Sequence, residues 1–125
     1  MVTLKFNNSY IKSWYSIGGV DEEKGNIKDA DKYLSDLYYG EKTHEKAEIK
    51  MVEEVITTMK KDNKIDLIIG GNLSNQLGTM NIALRDINTS FLGLYSACAT
   101  FAESVINASS LLQNKAISNA LVITN

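Results

Sequence analysis

One stretch, from Phe91 to Thr100, does most to define the expected fold of this 125-residue chain. It begins as a short apolar strand, passes through a turn of small residues that holds the chain's only cysteine, Cys98, and enters a small-residue helix that ends near Asn114. This order predicts that Cys98 lies at a helix N-terminus. Free backbone N–H groups and the helix dipole favour an anion there, so the position either activates a thiol or attracts the carboxylate of a ligand.

Cys98 also fits a purely structural role, because free cysteine behaves as a small hydrophobe and is among the most buried residue types. The only histidine, His44, falls at the start of a different predicted helix, where an exposed histidine without catalytic function is expected. With one cysteine and one histidine, a zinc site is not expected. From these residues alone, both interpretations of Cys98 stay open.

The remaining chain alternates strands and helices. The predicted elements are one or two strands in residues 3–17, a helix over Thr43–Lys61, a strand over Ile65–Ile69, a helix over Leu73–Asp86 capped by Asn72 or Ser74, the strand and helix around Cys98, and a strand over Ala120–Thr124. This order predicts a layered α/β domain whose ligand site lies beyond the carboxyl ends of the strands. Two such ends bring Asn72 and Cys98 to the candidate site.

The helix after Cys98 is expected to be central and buried, because its small residues allow close approach from several sides. It carries one charge, Glu103. A buried Glu103 has to be paired, hydrogen-bonded or protonated. Alternatively, Glu103 faces solvent in the first turn and complements the helix dipole.

Composition excludes some classes of function. The chain is 44% hydrophobic and 22% charged, with a net charge of −2 and no long basic run, which argues against nucleic acid as a partner. A single cysteine cannot form an internal disulfide, and the N-terminus lacks a signal pattern, so we expect an intracellular protein. No apolar run is long enough to span a bilayer, so any membrane association is expected to be peripheral.

The residues Ser96 to Glu103 are similar to the nucleophile region of the thiolase superfamily. Together with Gly71–Gln76, Phe91–Cys98 and Ala120–Thr124, they resemble one branch of it, the stage V sporulation protein AD family of endospore-forming bacteria. The resemblance implies a thiolase-like layered α/β fold, with residues 1–125 as the N-terminal half of a longer protein. That half is expected to contain a mixed sheet and a buried central helix.

The resemblance also implies a function in sporulation, namely binding dipicolinic acid (pyridine-2,6-dicarboxylic acid), free or as its calcium chelate, and supporting its uptake into the developing spore. The implied partners are other stage V sporulation membrane proteins, at the periphery of the forespore inner membrane. Cys98, Ala97, Ala99 and Asn72 are the implied ligand-binding residues. Asn72 stands where the family's Gly-Asp-Leu segment has an aspartate. No catalytic residue, cofactor or metal is implied.

Two other functional interpretations remain. The chain is a fragment of a condensing enzyme of the ketoacyl synthase type, with Cys98 as acyl acceptor, or it is a remnant of a longer gene. The superfamily's catalytic histidine lies in the half that has no counterpart here, so no condensing activity is expected from this chain alone. Because the two halves of the fold are pseudo-symmetric, two copies are expected to pair as a homodimer that covers the open sheet edge and helix face.

Overall fold

The chain folds into a small parallel sheet with helices on both faces. The computed structural model describes residues 2–26, 28–74 and 77–125. The strands are β1 (Ile17–Gly18), β2 (Lys32–Tyr33), β3 (Leu67–Gly71), β4 (Ser90–Gly93) and β5 (Ala120–Thr124), and the α-helices are α1 (His44–Lys61), α2 (Gly78–Leu84) and α3 (Thr100–Gln113). Short 3-10 helices cover Glu22–Lys24 and Ala97–Ala99.

The main sheet has the order β4-β3-β5, and β1 pairs separately with β2. The predicted α/β class is therefore confirmed. The prediction of a mixed sheet is wrong for the described strands, since every pairing among them is parallel. The physical reason is connectivity: a helix follows β3 and another follows β4. Each helix returns the chain to the end of the sheet at which the strands begin, so the next strand runs in the same direction.

The direction of the connections determines which face each helix covers. The chain moves from β3 to its neighbour β4 through α2, and then from β4 back past β3 to β5 through α3. Since crossover connections of this kind are right-handed, a reversal of direction places successive helices on opposite faces. The contacts agree, because α2 packs with α1, whereas α3 packs on β3 and β5.

One hydrophobic cluster lies between the sheet and the pair α1 and α2. Within it Ile56, Ile68 and Met80 have no exposed surface. Ile69, the next residue of β3, is equally buried but points to the opposite face, where α3 packs. The central strand is thus covered on both sides. The buried members of the cluster are Val52, Ile56, Ile68, Met80, Ala83, Leu84, Leu121 and Ile123.

Helix α1 begins and ends where its sequence predicts. The Thr43 side chain accepts a hydrogen bond from the backbone N–H of Lys46 at 3.3 Å, which satisfies one of the free donors of the first turn. Helix α2 is shorter than expected and begins at Gly78. Neither Asn72 nor Ser74 caps it, because its N-cap position is Leu77, in a left-handed conformation with φ of 64°. The predicted α2 range includes residues 75 and 76, which lie outside the described residues.

Helix α3 is not the buried central helix that was expected. Only its stripe of Thr100, Ser104 and Ala108 is buried. Phe101 is 59% exposed, and Val105 and Ile106 are also exposed. Small residues allow α3 to approach the sheet closely, but in the described structure its other face is not covered by a second layer.

The N-terminal segment is extended and is held to α1 by a cluster around Glu54. The strands expected in residues 3–17 reduce to the two-residue strand β1. Lys32 Nζ donates to the two Glu54 carboxylate oxygens at 2.8 and 2.9 Å, and the Tyr15 hydroxyl donates at 2.9 Å. The Tyr39 hydroxyl donates to Glu54 as well. These hydrogen bonds, with that from Lys32 first, lower the pKa of Glu54 from 4.5 to about 2.

The cluster around Glu54 predicts that the stability of the fold decreases at acid pH. A carboxyl whose pKa is lower in the folded than in the unfolded chain stabilises the fold above the unfolded pKa, and this contribution is lost as the pH falls. For Glu54 the loss spans the window from 4.5 down to about 2. We expect Glu54→Gln to lower the free energy of unfolding at pH 7 and to remove part of this pH dependence, measured by urea denaturation across the window.

Glu53→Gln is the matched control, because Glu53 is exposed on the same helix. It should leave both the stability and its acid dependence close to wild type. A Glu54→Gln variant whose acid dependence matched that of wild type would show that the cluster does not clamp the segment.

The β3–β5 pairing predicts a second, larger effect. A Cβ added at Gly70 would lie 1.7 Å from the carbonyl oxygen of Ile123, so the two strands would have to separate. We expect Gly70→Ala to lower the free energy of unfolding by about 3 kcal/mol or more, measured by chemical denaturation. At Gly78 a Cβ meets no atom of the described residues within 4 Å, so Gly78→Ala should be neutral or stabilise by up to about 1 kcal/mol. Equal effects of the two substitutions would contradict this account.

Candidate functional site

The candidate site lies at the carboxyl ends of β3 and β4. These strands are neighbours, and their outgoing chains lead to helices on opposite faces of the sheet. In parallel α/β folds this arrangement is the one that places a ligand crevice between the two loops. The pairing continues past β4, since the Leu94 N–H donates to the Gly70 carbonyl at 2.9 Å. The turn after Gly71 and the turn at Cys98 therefore lie side by side at the same end of the sheet, as the sequence predicts.

Glycine is required on the β3 side of the crevice. A Cβ at Gly71 would lie 2.0 Å from the Leu94 carbonyl oxygen and 2.6 Å from the Leu77 side chain. Gly93, on β4, is in a similar position, because its Cβ would lie 2.5 Å from the same Leu77 side chain. The absence of side chains at these positions lets the two loops approach each other.

The backbone of the Cys98 turn forms a concave set of donors. Ala97 has a left-handed φ of 47°, and the preceding Ser96 has φ of −127° and ψ of 26°. A left-handed residue in such a turn directs successive N–H groups to one side, an arrangement that binds anions. In the described part of the chain, the N–H groups of Ala97 and Cys98 have no hydrogen-bond acceptor, whereas the N–H of Ala99 donates to Ser96.

Thr100 holds this turn in place. Its hydroxyl accepts from the Ser96 N–H at 3.1 Å and donates to the Ala97 carbonyl at 2.8 Å, so one side chain closes the loop from both sides. The Ser96 hydroxyl donates to the Glu103 carboxylate in the first turn of α3. Of the two interpretations of Glu103, the first-turn position is correct, but the side chain is half-buried and hydrogen-bonded and does not simply face solvent.

Cys98 is exposed, as are its neighbours Ala97 and Ala99. The interpretation of Cys98 as a buried structural cysteine is therefore wrong. The turn leads directly into α3, which begins at Thr100, so the predicted position at a helix start is confirmed. His44 is exposed, as expected, and packs against Tyr38 with ring centroids 4.6 Å apart.

Asn72 borders the crevice but is only 2% exposed. Its side-chain amide donates to the Ser74 hydroxyl at 2.5 Å and to the Thr79 hydroxyl. Its Oδ1 has no partner among the described residues. The amide hydrogens expected to contact a ligand are therefore used inside the turn, and in this structure Asn72 positions the loop.

Other features of the described residues lie away from this turn. A cavity of about 520 Å3 lies beside β5, between α1, α3 and residues 9–15, and its lining does not include Asn72, Ala97, Cys98 or Ala99. Residues 2–26, 28–74 and 77–125 contain no group of three or more His, Cys, Asp or Glu side chains placed to hold a metal ion. Among the helices in the same ranges, none has the length and apolar character needed to cross a membrane.

Sequence reasoning missed the left-handed Ala97 and the Thr100 bridge. The only available signal was the spacing of Ser96 and Thr100, which places two side-chain hydroxyls at the start of a helix, where such groups commonly bond free backbone groups. The spacing does not show that the intervening residue is left-handed, because alanine rarely adopts that conformation.

Fold and site together define a doubly wound parallel α/β domain with an exposed cysteine turn at the point where the winding changes direction. Comparison with known proteins identifies the family. The family model described as stage V sporulation protein AD (SpoVAD) matches residues 1–125, and the chain belongs to that family. It is 29% identical over 122 residues to stage V sporulation protein AD of Bacillus subtilis (strain 168), covering 93% of this chain and 36% of the relative. The chain thus spans little more than a third of that relative's length.

The left-handed turn predicts that substitution by glycine changes the free energy of unfolding differently at Ala97 and at Ala99. A left-handed residue other than glycine costs about 1–2 kcal/mol, which exceeds the entropic cost of glycine of about 0.5–1 kcal/mol. We therefore expect Ala97→Gly to be neutral or to raise the free energy of unfolding by up to about 1 kcal/mol. Ala99, at φ of −88°, has no such strain, so Ala99→Gly should lower it by about 0.5–1 kcal/mol. Denaturant titration of both variants measures this, and equal losses would contradict the described turn.

Proposed function

We propose that this chain binds dipicolinic acid at the Cys98 turn and supports its uptake into the developing spore. Membership of the stage V sporulation protein AD family supports the sporulation role. The observation that carries the ligand assignment is the pair of free backbone donors, the N–H groups of Ala97 and Cys98, at the start of α3.

The chemistry of the turn suits a carboxylate. Two adjacent N–H donors match the two oxygens of one carboxylate group, and the positive end of the α3 dipole adds to the attraction. The small side chains of Ala97 and Ala99 leave room for an aromatic ring beside Cys98. The Glu103 carboxylate is already hydrogen-bonded to the Ser96 hydroxyl, and Asn72 holds the opposite loop.

Calcium fits the same arrangement. Dipicolinate has a second carboxylate and a ring nitrogen, and oxygen ligands are those that Ca²⁺ prefers. When one carboxylate occupies the turn, the other faces solvent, because residues 97–99 are exposed. The ligand is therefore expected to bind either free or as its calcium chelate, with the metal held by the ligand. The biological setting is the periphery of the forespore inner membrane, with other stage V sporulation membrane proteins as partners.

Titration calorimetry with dipicolinate, with and without calcium, tests the site. Cys98→Glu places a negative charge beside the proposed carboxylate position, and we expect the dissociation constant to rise at least tenfold because like charges repel at this distance. Cys98→Gln has nearly the same size without the charge and should stay within a few-fold of wild type. Each variant should keep the wild-type circular dichroism spectrum.

Two outcomes would overturn this proposal. One is the absence of saturable binding by a demonstrably folded chain. The other is equal binding by wild type, Cys98→Glu and Cys98→Gln, which would place any dipicolinate site elsewhere on the molecule.

The second candidate function is a fragment of a condensing enzyme that uses Cys98 as acyl acceptor. The exposure of Cys98 at the start of α3 favours it, because a nucleophile has to be accessible. An acyl acceptor should be alkylated at neutral pH much faster than a free cysteine, and should retain an acyl group from a thioester donor in intact-mass measurements. Alkylation at the rate of free cysteine would exclude this candidate.

A further inference from the structure

Two buried side-chain oxygens in the described part of the chain, Asn72 Oδ1 and Glu48 Oε2, have no hydrogen-bond partner. Asn72 is 2% exposed, and its amide nitrogen already donates to the Ser74 and Thr79 hydroxyls. Glu48 forms no ion pair with a described lysine, arginine or histidine. Buried acceptors without a partner cost free energy, and in native proteins nearly all are satisfied by a protein group, a water molecule or an ion.

The chain direction brings both oxygens to the same end of the sheet. Asn72 directly follows β3, so it lies at the carboxyl end of that strand. Helix α1 ends shortly before β3 begins and packs against it in the buried cluster, so α1 runs opposite to β3. The first turns of α1, which include Glu48, therefore lie at the carboxyl end as well.

Glu48 also lies on the side of α1 that contacts α2. It stands one turn before Val52, and residues four apart share one side of a helix. Val52 belongs to the same buried cluster as Met80 of α2. Thr79, which bonds to Asn72, directly precedes Met80 and is itself buried. The Glu48 carboxylate and the hydrogen-bonded group around Asn72 thus lie at one end of the α1–α2 interface.

We propose that Glu48 and Asn72 bind a monovalent metal cation, Na⁺ or K⁺, together with the hydroxyl oxygens of Ser74 and Thr79. All four side chains supply oxygen, the ligand atom that hard cations prefer. A hydroxyl oxygen has two lone pairs, so it accepts from the Asn72 amide and retains a lone pair for the cation. The bound ion connects α1 to the loop that follows β3.

The charge of these four side chains selects a monovalent ion. Glu48 carries their only formal negative charge, so Na⁺ or K⁺ neutralises the set, whereas a divalent ion leaves a buried positive charge without compensation. Calcium usually takes about six to eight oxygen ligands, and magnesium demands a nearly ideal octahedron. Two neutral hydroxyls, one amide oxygen and one carboxylate meet neither requirement.

Thermal unfolding in KCl, NaCl and tetramethylammonium chloride at equal ionic strength tests the site. An ion that binds only the folded chain raises the melting temperature by mass action. We expect K⁺ or Na⁺ to raise it by about 3 °C or more over tetramethylammonium, with a saturable dependence on concentration. Binding also broadens the sodium NMR signal, and K⁺ should reverse the broadening. Dipicolinate is not present, so the result is independent of the proposed ligand function.

Three variants assign the effect to these side chains. Glu48→Gln keeps the size of the side chain without its charge, and we expect it to abolish the difference between the salts. Glu53→Gln is the matched control, because Glu53 is exposed on the same helix, and it should keep the difference. Asn72→Asp adds a second carboxylate, so Ca²⁺ should stabilise this variant more than Na⁺ or K⁺ does.

Four results would overturn the proposal. One is an equal melting temperature of wild type in all three salts. A second is an equal salt response of wild type and Glu48→Gln, which would show an adventitious ion only. A third is greater stabilisation of wild type by Ca²⁺ than by either monovalent ion. The fourth is a Glu48→Gln variant more stable than wild type in every salt, which would show that Glu48 is protonated and donates a hydrogen bond instead.

Discussion

The close approach of β3 to both of its neighbours is the constraint on which the rest of the structure depends. A Cβ at Gly70 would collide with a backbone oxygen of β5, and a Cβ at Gly71 would collide with a backbone oxygen just beyond β4. Because β3 is flanked on both sides, the connections from β3 and β4 have to run in opposite directions, and right-handed crossovers then place α2 and α3 on opposite faces. The crevice at the strand ends is a geometric consequence of this arrangement.

In the Cys98 turn, a few side-chain hydrogen bonds fix the backbone in a conformation that leaves two N–H donors free. Thr100 is almost fully buried and fastens the backbone on both sides of Ala97. This fixed geometry keeps two N–H groups free where a less constrained loop would turn them to other partners. If an anion binds at the turn, as proposed, it does not have to order the loop, which reduces the entropic cost of association.

The sequence predicted the elements whose evidence is local. The α1 range, the β5 range and the position of Cys98 before α3 follow from periodicity, capping residues and turn residues, and all three are confirmed. The errors concern properties that depend on distant parts of the chain. The burial of α3 depends on what packs against its outer face, and the parallel pairing of all the described strands depends on the connections between them. The left-handed Ala97 is stabilised by Thr100 against the intrinsic preference of alanine, so no propensity argument predicts it.

Helix α3 connects the Cys98 turn with the cavity of about 520 Å3 beside β5. Its first turn contains the Ser96–Glu103 hydrogen bond beside the free donors, and its residues Phe101 and Val105 line that cavity. Phe101 follows Thr100 directly, so packing against Phe101 bears on the same turn of helix that holds the Ala97 backbone. Packing that orders Phe101 and an anion bound at the turn, as proposed, would each favour the same conformation, and linkage then requires each to strengthen the other. The half-exposed helix is thus the element through which packing in the cavity would act on the proposed ligand site.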